Sequence, residues 1–172
     1  MDQMWSPWRS KYVAETAERA ASEEGPSLFT RLAEDGDDEK HLILWRGDLV
    51  FVILNLHPYN NGHLLIVPYH EVTAYTDLTP NEQNAIAAAV DRCMRWQTRA
   101  FSPDGFNVGM NLGIAAGAGI PEHLHVHVVP RWSGDTNFMT TTGDTRVIPQ
   151  DLHETFEALR AVMELAERPS SE

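Results

Sequence analysis

The chain has 172 residues, 42% apolar and 22% charged, enough for one soluble domain with a real core. Its net charge of -12 argues against non-specific nucleic-acid binding, which needs Lys and Arg, and no run approaches the ~20 consecutive apolar residues of a membrane span. One cysteine, Cys93, excludes an intrachain disulfide and a cysteine-rich zinc site. With no signal-peptide pattern over residues 1–12, it favours a cytoplasmic protein.

Residues 14–26 are rich in Ala, Glu and Ser with weak apolar periodicity, which suits a mobile arm or a peripheral helix. The acidic run Glu34-Asp35-Gly36-Asp37-Asp38-Glu39 reads as a solvated loop. Residues 41–45 predict a strand, Gly47-Asp48 a turn, and residues 49–54 the returning strand of a hairpin. Asn60-Asn61-Gly62 marks another turn before a strand over 63–67. Thr79-Pro80-Asn81-Glu82 is a helix start with a capping box. Ile86, Val90, Cys93, Gln97 and Phe101 then fall near one face, with Met94 beside it. Strands are expected over 106–112 and 124–129, and a last helix from near Pro149 with Leu152, Phe156, Leu159 and Met163 as its apolar stripe. Strands, a long helix, two more strands and a helix make an α+β fold with a largely antiparallel sheet.

The chemistry is concentrated in His123-Leu124-His125-Val126-His127-Val128-Val129-Pro130. A strand alternates its faces, so Leu124, Val126 and Val128 point one way and the three histidines the other, roughly 7 Å apart at successive positions. Three imidazoles on one face are costly for a purely structural strand, because each buried ring needs partners. The loop Asn111-Leu112-Gly113-Ile114-Ala115-Ala116-Gly117-Ala118-Gly119-Ile120-Pro121 feeds that strand, and small residues let backbone N–H groups approach phosphate oxygens. A neutral imidazole with pKa of about 6.5 serves as nucleophile or proton shuttle. The rival chemistry is metal binding, since His-x-His on a strand can supply two zinc ligands.

The run 123–129 fits the His-φ-His-φ-His-φ-φ pattern (φ apolar) and resembles the histidine-triad (HIT) family of nucleotide hydrolases and transferases. Residues 55–68, Asn55-Leu56-His57-Pro58-Tyr59-Asn60-Asn61-Gly62-His63 and onward, look like that family's first block. Met4-Trp5-Ser6-Pro7-Trp8-Arg9 and the continuation from His127 to Phe138 are similar to its bacterial branch, in particular the actinobacterial diadenosine tetraphosphate phosphorylases.

The resemblance implies a five-stranded antiparallel sheet with two main helices, and paired subunits. It implies His125 as the nucleophile that takes the nucleotidyl group, His123 as its orienting neighbour, His127 at the phosphates and leaving oxygen, and His63 buried beside the triad. Asn55, with Leu56, would hold the ribose, and Asn111 with Gly117, Ala118, Gly119 and Ile120 the phosphates. The expected substrate is a dinucleoside polyphosphate, with inorganic phosphate as acceptor and ADP and ATP as products from diadenosine tetraphosphate. Water as acceptor makes a hydrolase and an amine-linked nucleotide makes a phosphoramidase; a nucleotide-binding sensor without turnover is the rival of another class. No cofactor or metal is expected. Some relatives carry a zinc-binding Cys-x-x-Cys where this chain has Ser27-Leu28-Phe29-Thr30. The loop lacks the Ser/Thr hydroxyl of many relatives, and His127 stands where sugar-phosphate transferases carry Gln.

The expected organisation is an arm with a peripheral helix over 1–40, the histidine-triad domain over 41–168 and a disordered tail over 169–172, with a homodimer at least and a tetramer as the alternative. His57, His70 and His153 are read as surface or turn residues and His41 as a strand end. Trp5, Trp8 and Tyr12 anchor the arm or wall a nucleotide pocket, and Arg9 and Lys11 are surface charge. Arg131 pairs with a carboxylate or binds polyphosphate; Trp132 stacks on a base or packs in a subunit interface.

Overall fold

The computed structural model describes residues 25–135 and 151–167; the Trp5 to Tyr12 block, most of the Ala/Glu/Ser-rich stretch, Phe138, Pro149 and the 169–172 tail lie outside the described residues. Five strands, β1 (Ile43–Arg46), β2 (Val50–Leu54), β3 (Leu64–Pro68), β4 (Gly105–Met110) and β5 (Val126–Arg131), form one sheet of order β1-β2-β3-β5-β4. Every neighbouring pair is antiparallel. The expected strands are present, with ends displaced by one or two residues, as hydrogen-bond ladders rather than apolar runs define them.

Two corrections concern the stretch before β1. The acidic run is not one loop: Glu34 and Asp35 end helix α1 (Leu28–Asp35), Gly36 closes it at φ 75°, and Asp37 caps helix α2 (Asp38–His41) by accepting the Lys40 amide at 3.1 Å. His41 therefore ends a helix rather than starting a strand, and its Nε2 meets the Asp35 carboxylate at 2.5 Å. Helix α1 falls in the stretch assigned to the arm and peripheral helix, and its Phe29 is 3% exposed in the core. Burying one Phe stabilises by roughly 1.5–3 kcal/mol and holds the short helix down.

Helix α3 (Pro80–Phe101) starts as its sequence dictates. Thr79 accepts the Glu82 amide, and the Glu82 carboxylate accepts the Thr79 amide at 2.7 Å. Its buried stripe is Ile86, Ala89, Cys93, Trp96 and Gln97, rotated slightly from the expected one, so that Val90 and Phe101 lie at its margin. Helix α4 (Leu152–Glu167) buries Phe156, Leu159 and Met163, with Leu152 half-buried.

The sheet separates two apolar layers. Val50, Val52, Leu54, Leu64, Ile66, Leu124, Val126 and Val128 meet α3 and α4 in the larger one. Phe51, Ile53, Leu65 and Val67, the alternate residues of the same strands, meet Ile43 and Phe29 in the smaller one. The thin second layer, covered by the two turns of α1, is the side on which the histidines stand.

Candidate active site

His123 and His125 approach β5 and His127 lies on it, opposite Leu65 of β3 and Gly109 of β4. With Leu124, Val126 and Val128 in the larger layer, all three rings share the other face, as the alternation requires. They are 0%, 6% and 9% exposed, and His63, which follows the left-handed Gly62 (φ 70°), is 0% exposed. The His125 and His127 rings are 4.9 Å apart and those of His63 and His127 5.1 Å.

The hydrogen bonds assign each proton. His125 Nδ1 lies 2.9 Å from the His123 carbonyl, which can only accept, so Nδ1 carries the hydrogen and Nε2 is left with its lone pair. His123 Nε2 lies 2.8 Å from the Pro68 carbonyl and is protonated by the same reasoning; its Nδ1 accepts from the Ser27 hydroxyl at 2.5 Å. His63 Nδ1 accepts the Tyr59 amide at 3.0 Å and the Asn55 side-chain amide at 3.2 Å, the latter oriented by the His57 N–H on Asn55 Oδ1. His63 therefore carries its hydrogen on Nε2 and donates it to His127 Nδ1 at 3.0 Å. A neutral His127 then holds its own proton on Nε2, 3.3 Å from Asn111 Nδ2. The Asn111 amide would turn its oxygen there, since amide orientation is the freedom left in the network.

Burial holds the pKa of His125 below its ordinary value, the His123 carbonyl opposing it. Burial lowers His123 likewise, against the Pro68 carbonyl and the charges of Glu71 and Glu122. Both rings are neutral near pH 7, as a nucleophile and its neighbour should be. Among the described residues no group of three His, Cys, Asp or Glu is arranged to hold a metal ion.

The other expected binding residues fall around this centre. Asn55 is half-buried, its amide engaged with His57 and His63; Leu56 is 57% exposed. In the glycine-rich loop the amides of Gly117 and Ala118 bond to Ile114 and Gly113 inside the turn. Of the four expected phosphate-binding positions, Gly119 and Ile120 are the two whose amides meet no acceptor among the described residues. Arg131 pairs with Asp135 at 2.6 and 2.8 Å, the carboxylate alternative of the two. The Trp132 indole donates to the Phe101 carbonyl at 3.3 Å. His70 meets Glu82, and His57 and His153 enter hydrogen bonds through backbone amides.

Several residues at the site escape sequence reading. The Phe29 ring packs steeply inclined against those of His123 and His125, with centroids 5.6 and 5.1 Å away. Tyr59 stacks on His127 at 5.5 Å. Gln97, 0% exposed on α3, donates to the carbonyls of Gly62 and Val128 at 2.7 and 3.1 Å and so pins the segments carrying His63 and His127. Phe29, Leu32 and Ala33 at helical spacing after a capping Ser27 were the available signal for α1.

A model of the HIT domain matches residues 37–134. The chain is 44% identical over 158 residues to a Mycobacterium tuberculosis protein named AP-4-A phosphorylase, covering 90% of this chain and 80% of the relative. It is 33% identical over 93 residues, 54% of this chain and 50% of the relative, to the Schizosaccharomyces pombe bis(5'-nucleosyl)-tetraphosphatase (asymmetrical). In structure it is similar to a Zn-bound histidine triad family protein from Mycobacterium smegmatis, with a TM-score of 0.67 and 25% identity over 86% of this chain and 97% of the other. With the three histidines on one buried face and these likenesses over most of its length, the chain belongs to the HIT domain family.

Proposed function

We propose that the protein transfers a nucleotidyl group from a dinucleoside polyphosphate to inorganic phosphate through His125. The observation that carries this is the placement of protons: Nε2 of His125 holds a lone pair while Nδ1–H is bound to the His123 carbonyl. The name of the M. tuberculosis relative supports the substrate and the acceptor.

Nε2 of His125 attacks the α-phosphorus of diadenosine tetraphosphate, the P–O bond to the rest of the chain breaks, and ATP leaves with the bonding pair, its departing oxygen accepting a hydrogen bond from Nε2–H of His127. The new P–N bond holds AMP on His125, whose Nδ1–H keeps its bond to the His123 carbonyl. A phosphate oxygen then attacks the same phosphorus and His125 departs with the P–N electron pair, which restores the lone pair on its Nε2. The product is ADP. Dividing one displacement into two is the gain of covalent catalysis. Asn111 and the amides of Gly119 and Ile120 meet the charge that develops on the phosphate oxygens, Asn55 and Leu56 take the ribose, and Trp132 the base. A homodimer in the cytoplasm is part of the same reading.

Water as acceptor is the second reading, favoured by the name of the S. pombe relative. Diadenosine tetraphosphate supplied to the wild type and to His125→Ala, with and without phosphate, separates them. ADP that forms only with phosphate, and a loss of several orders of magnitude in the variant, is the expected result. AMP without phosphate makes the enzyme a hydrolase, and an active His125→Ala refutes the mechanism.

A further inference from the structure

The second nitrogen of His123 looks away from the reacting centre into a small polar cluster. The Ser27 hydroxyl donates to His123 Nδ1 at 2.5 Å and accepts the Thr30 amide at 3.2 Å as the N-cap of α1. The Thr30 hydroxyl donates to Glu71 Oε2 at 2.7 Å, and the Ser27 N–H donates to the same oxygen at 2.9 Å. Each hydroxyl has one hydrogen, so the direction of the whole line is settled: Thr30 gives to Glu71, Ser27 gives to His123, and His123 gives to Pro68. Both ring nitrogens of His123 are thereby tied, and its carbonyl is the group that holds Nδ1–H of His125.

We propose that Ser27 is a positioning residue for the nucleophile, acting through His123, with Glu71 holding Ser27 in place. The claim rests on the His125 reading above and adds a residue that never touches substrate. Without the hydroxyl, Nδ1 of His123 has no donor and becomes free to take a second proton. Glu71 and Glu122 favour that proton, while burial, His70 and His125 oppose it. A cation there would withdraw charge from the neighbouring nucleophile and loosen the carbonyl that sets its tautomer.

The test compares wild type, Ser27→Thr, Ser27→Gly and Glu71→Gln. Glycine caps a helix within a few tenths of a kcal/mol of serine, so Ser27→Gly removes the donor and keeps the fold, which a thermal melt verifies. With diadenosine tetraphosphate and phosphate, kcat of Ser27→Gly is expected to fall about tenfold, one hydrogen bond's worth, with KM within about twofold. The acid limb of its kcat profile moves up by about half a pH unit or more, Glu71→Gln loses less in kcat and shows no upward shift because it also removes a charge that favours the His123 proton, and Ser27→Thr stays near wild type. Two-bond proton–nitrogen spectra of histidine-labelled protein are expected to show His123 as the Nε2–H form in wild type and titrating at higher pH in Ser27→Gly. An unchanged pH profile and ring signature in Ser27→Gly, or a Ser27→Thr variant as impaired as Ser27→Gly, overturns the proposal. If the wild type does not turn over the dinucleotide, the functional reading fails, and the tautomer spectra alone decide the role of Ser27.

Discussion

Replacing Phe29 by Ala removes the ring that lies against both His123 and His125 and fills the smaller apolar layer. Phe→Ala in a core costs about 3–5 kcal/mol. The low end applies here, because α1 is two turns long and can settle into part of the space. For a chain of this size each kcal/mol lowers Tm by about 2–4 °C, so a fall of roughly 6–12 °C is expected. The functional effect has a definite sign. Burial depresses the pKa of His125, so water admitted beside the ring raises it toward about 6.5, and the acid limb of the pH–rate profile moves up. Phe29→Leu keeps most of the apolar volume and should lose about 1 kcal/mol with little shift of the limb. Urea unfolding with a pH series of turnover rates measures both. A loss under about 1 kcal/mol for the alanine variant, or an acid limb moving down, would refute the packing of α1 over the nucleophile.

Gly62→Ala should cost about 2 kcal/mol in urea unfolding, since a left-handed φ of 70° is strained for alanine and its Cβ would stand 2.9 Å from the Phe101 ring. His63 shifts with it, so turnover should drop too; a neutral variant contradicts the turn geometry. Folded-state pKa values of His123 and His125 lie below their unfolded values, so the unfolded chain binds protons first. Their contribution is complete above about pH 6.5 and is lost as pH falls through the window beneath it, and a urea midpoint that stays level from pH 7 to pH 5.5 would count against this. The Cys93 thiol is buried and its pKa is pushed far up, so a maleimide should label it in denaturant and leave it untouched in the native protein.

The sheet, the capped helix and the face shared by the three histidines were legible because each rests on a local period or a side chain fixed to its neighbour in sequence. Thr79 and Glu82 show their partnership three residues apart, and Leu124, Val126 and Val128 announce the opposite face of His125. What could not be read joins residues far apart in the chain. Ser27 reaches His123 across 96 positions and Gln97 reaches Gly62 across 35, and nothing local in either residue names its partner. The acidic run misled for a different reason: charge predicts solvation, which holds, but Asp37 also caps a helix, and that role depends on the backbone around it. The likeness to a family supplied the candidate roles of His63 and Asn111, which spacing alone would not have joined to the triad.

The line of donors from the Tyr59 amide through His63 to His127 ends on a backbone N–H, a group that does not release its hydrogen at any ordinary pH. With Nδ1 of His63 occupied by the Tyr59 and Asn55 amides, its Nε2–H is directed at Nδ1 of His127, so each ring is held in one tautomer. A neutral His127 therefore keeps a fixed Nε2–H on the side of Asn111. A donor set in advance by the backbone behind it does not have to reorient when charge grows on an oxygen in front of it.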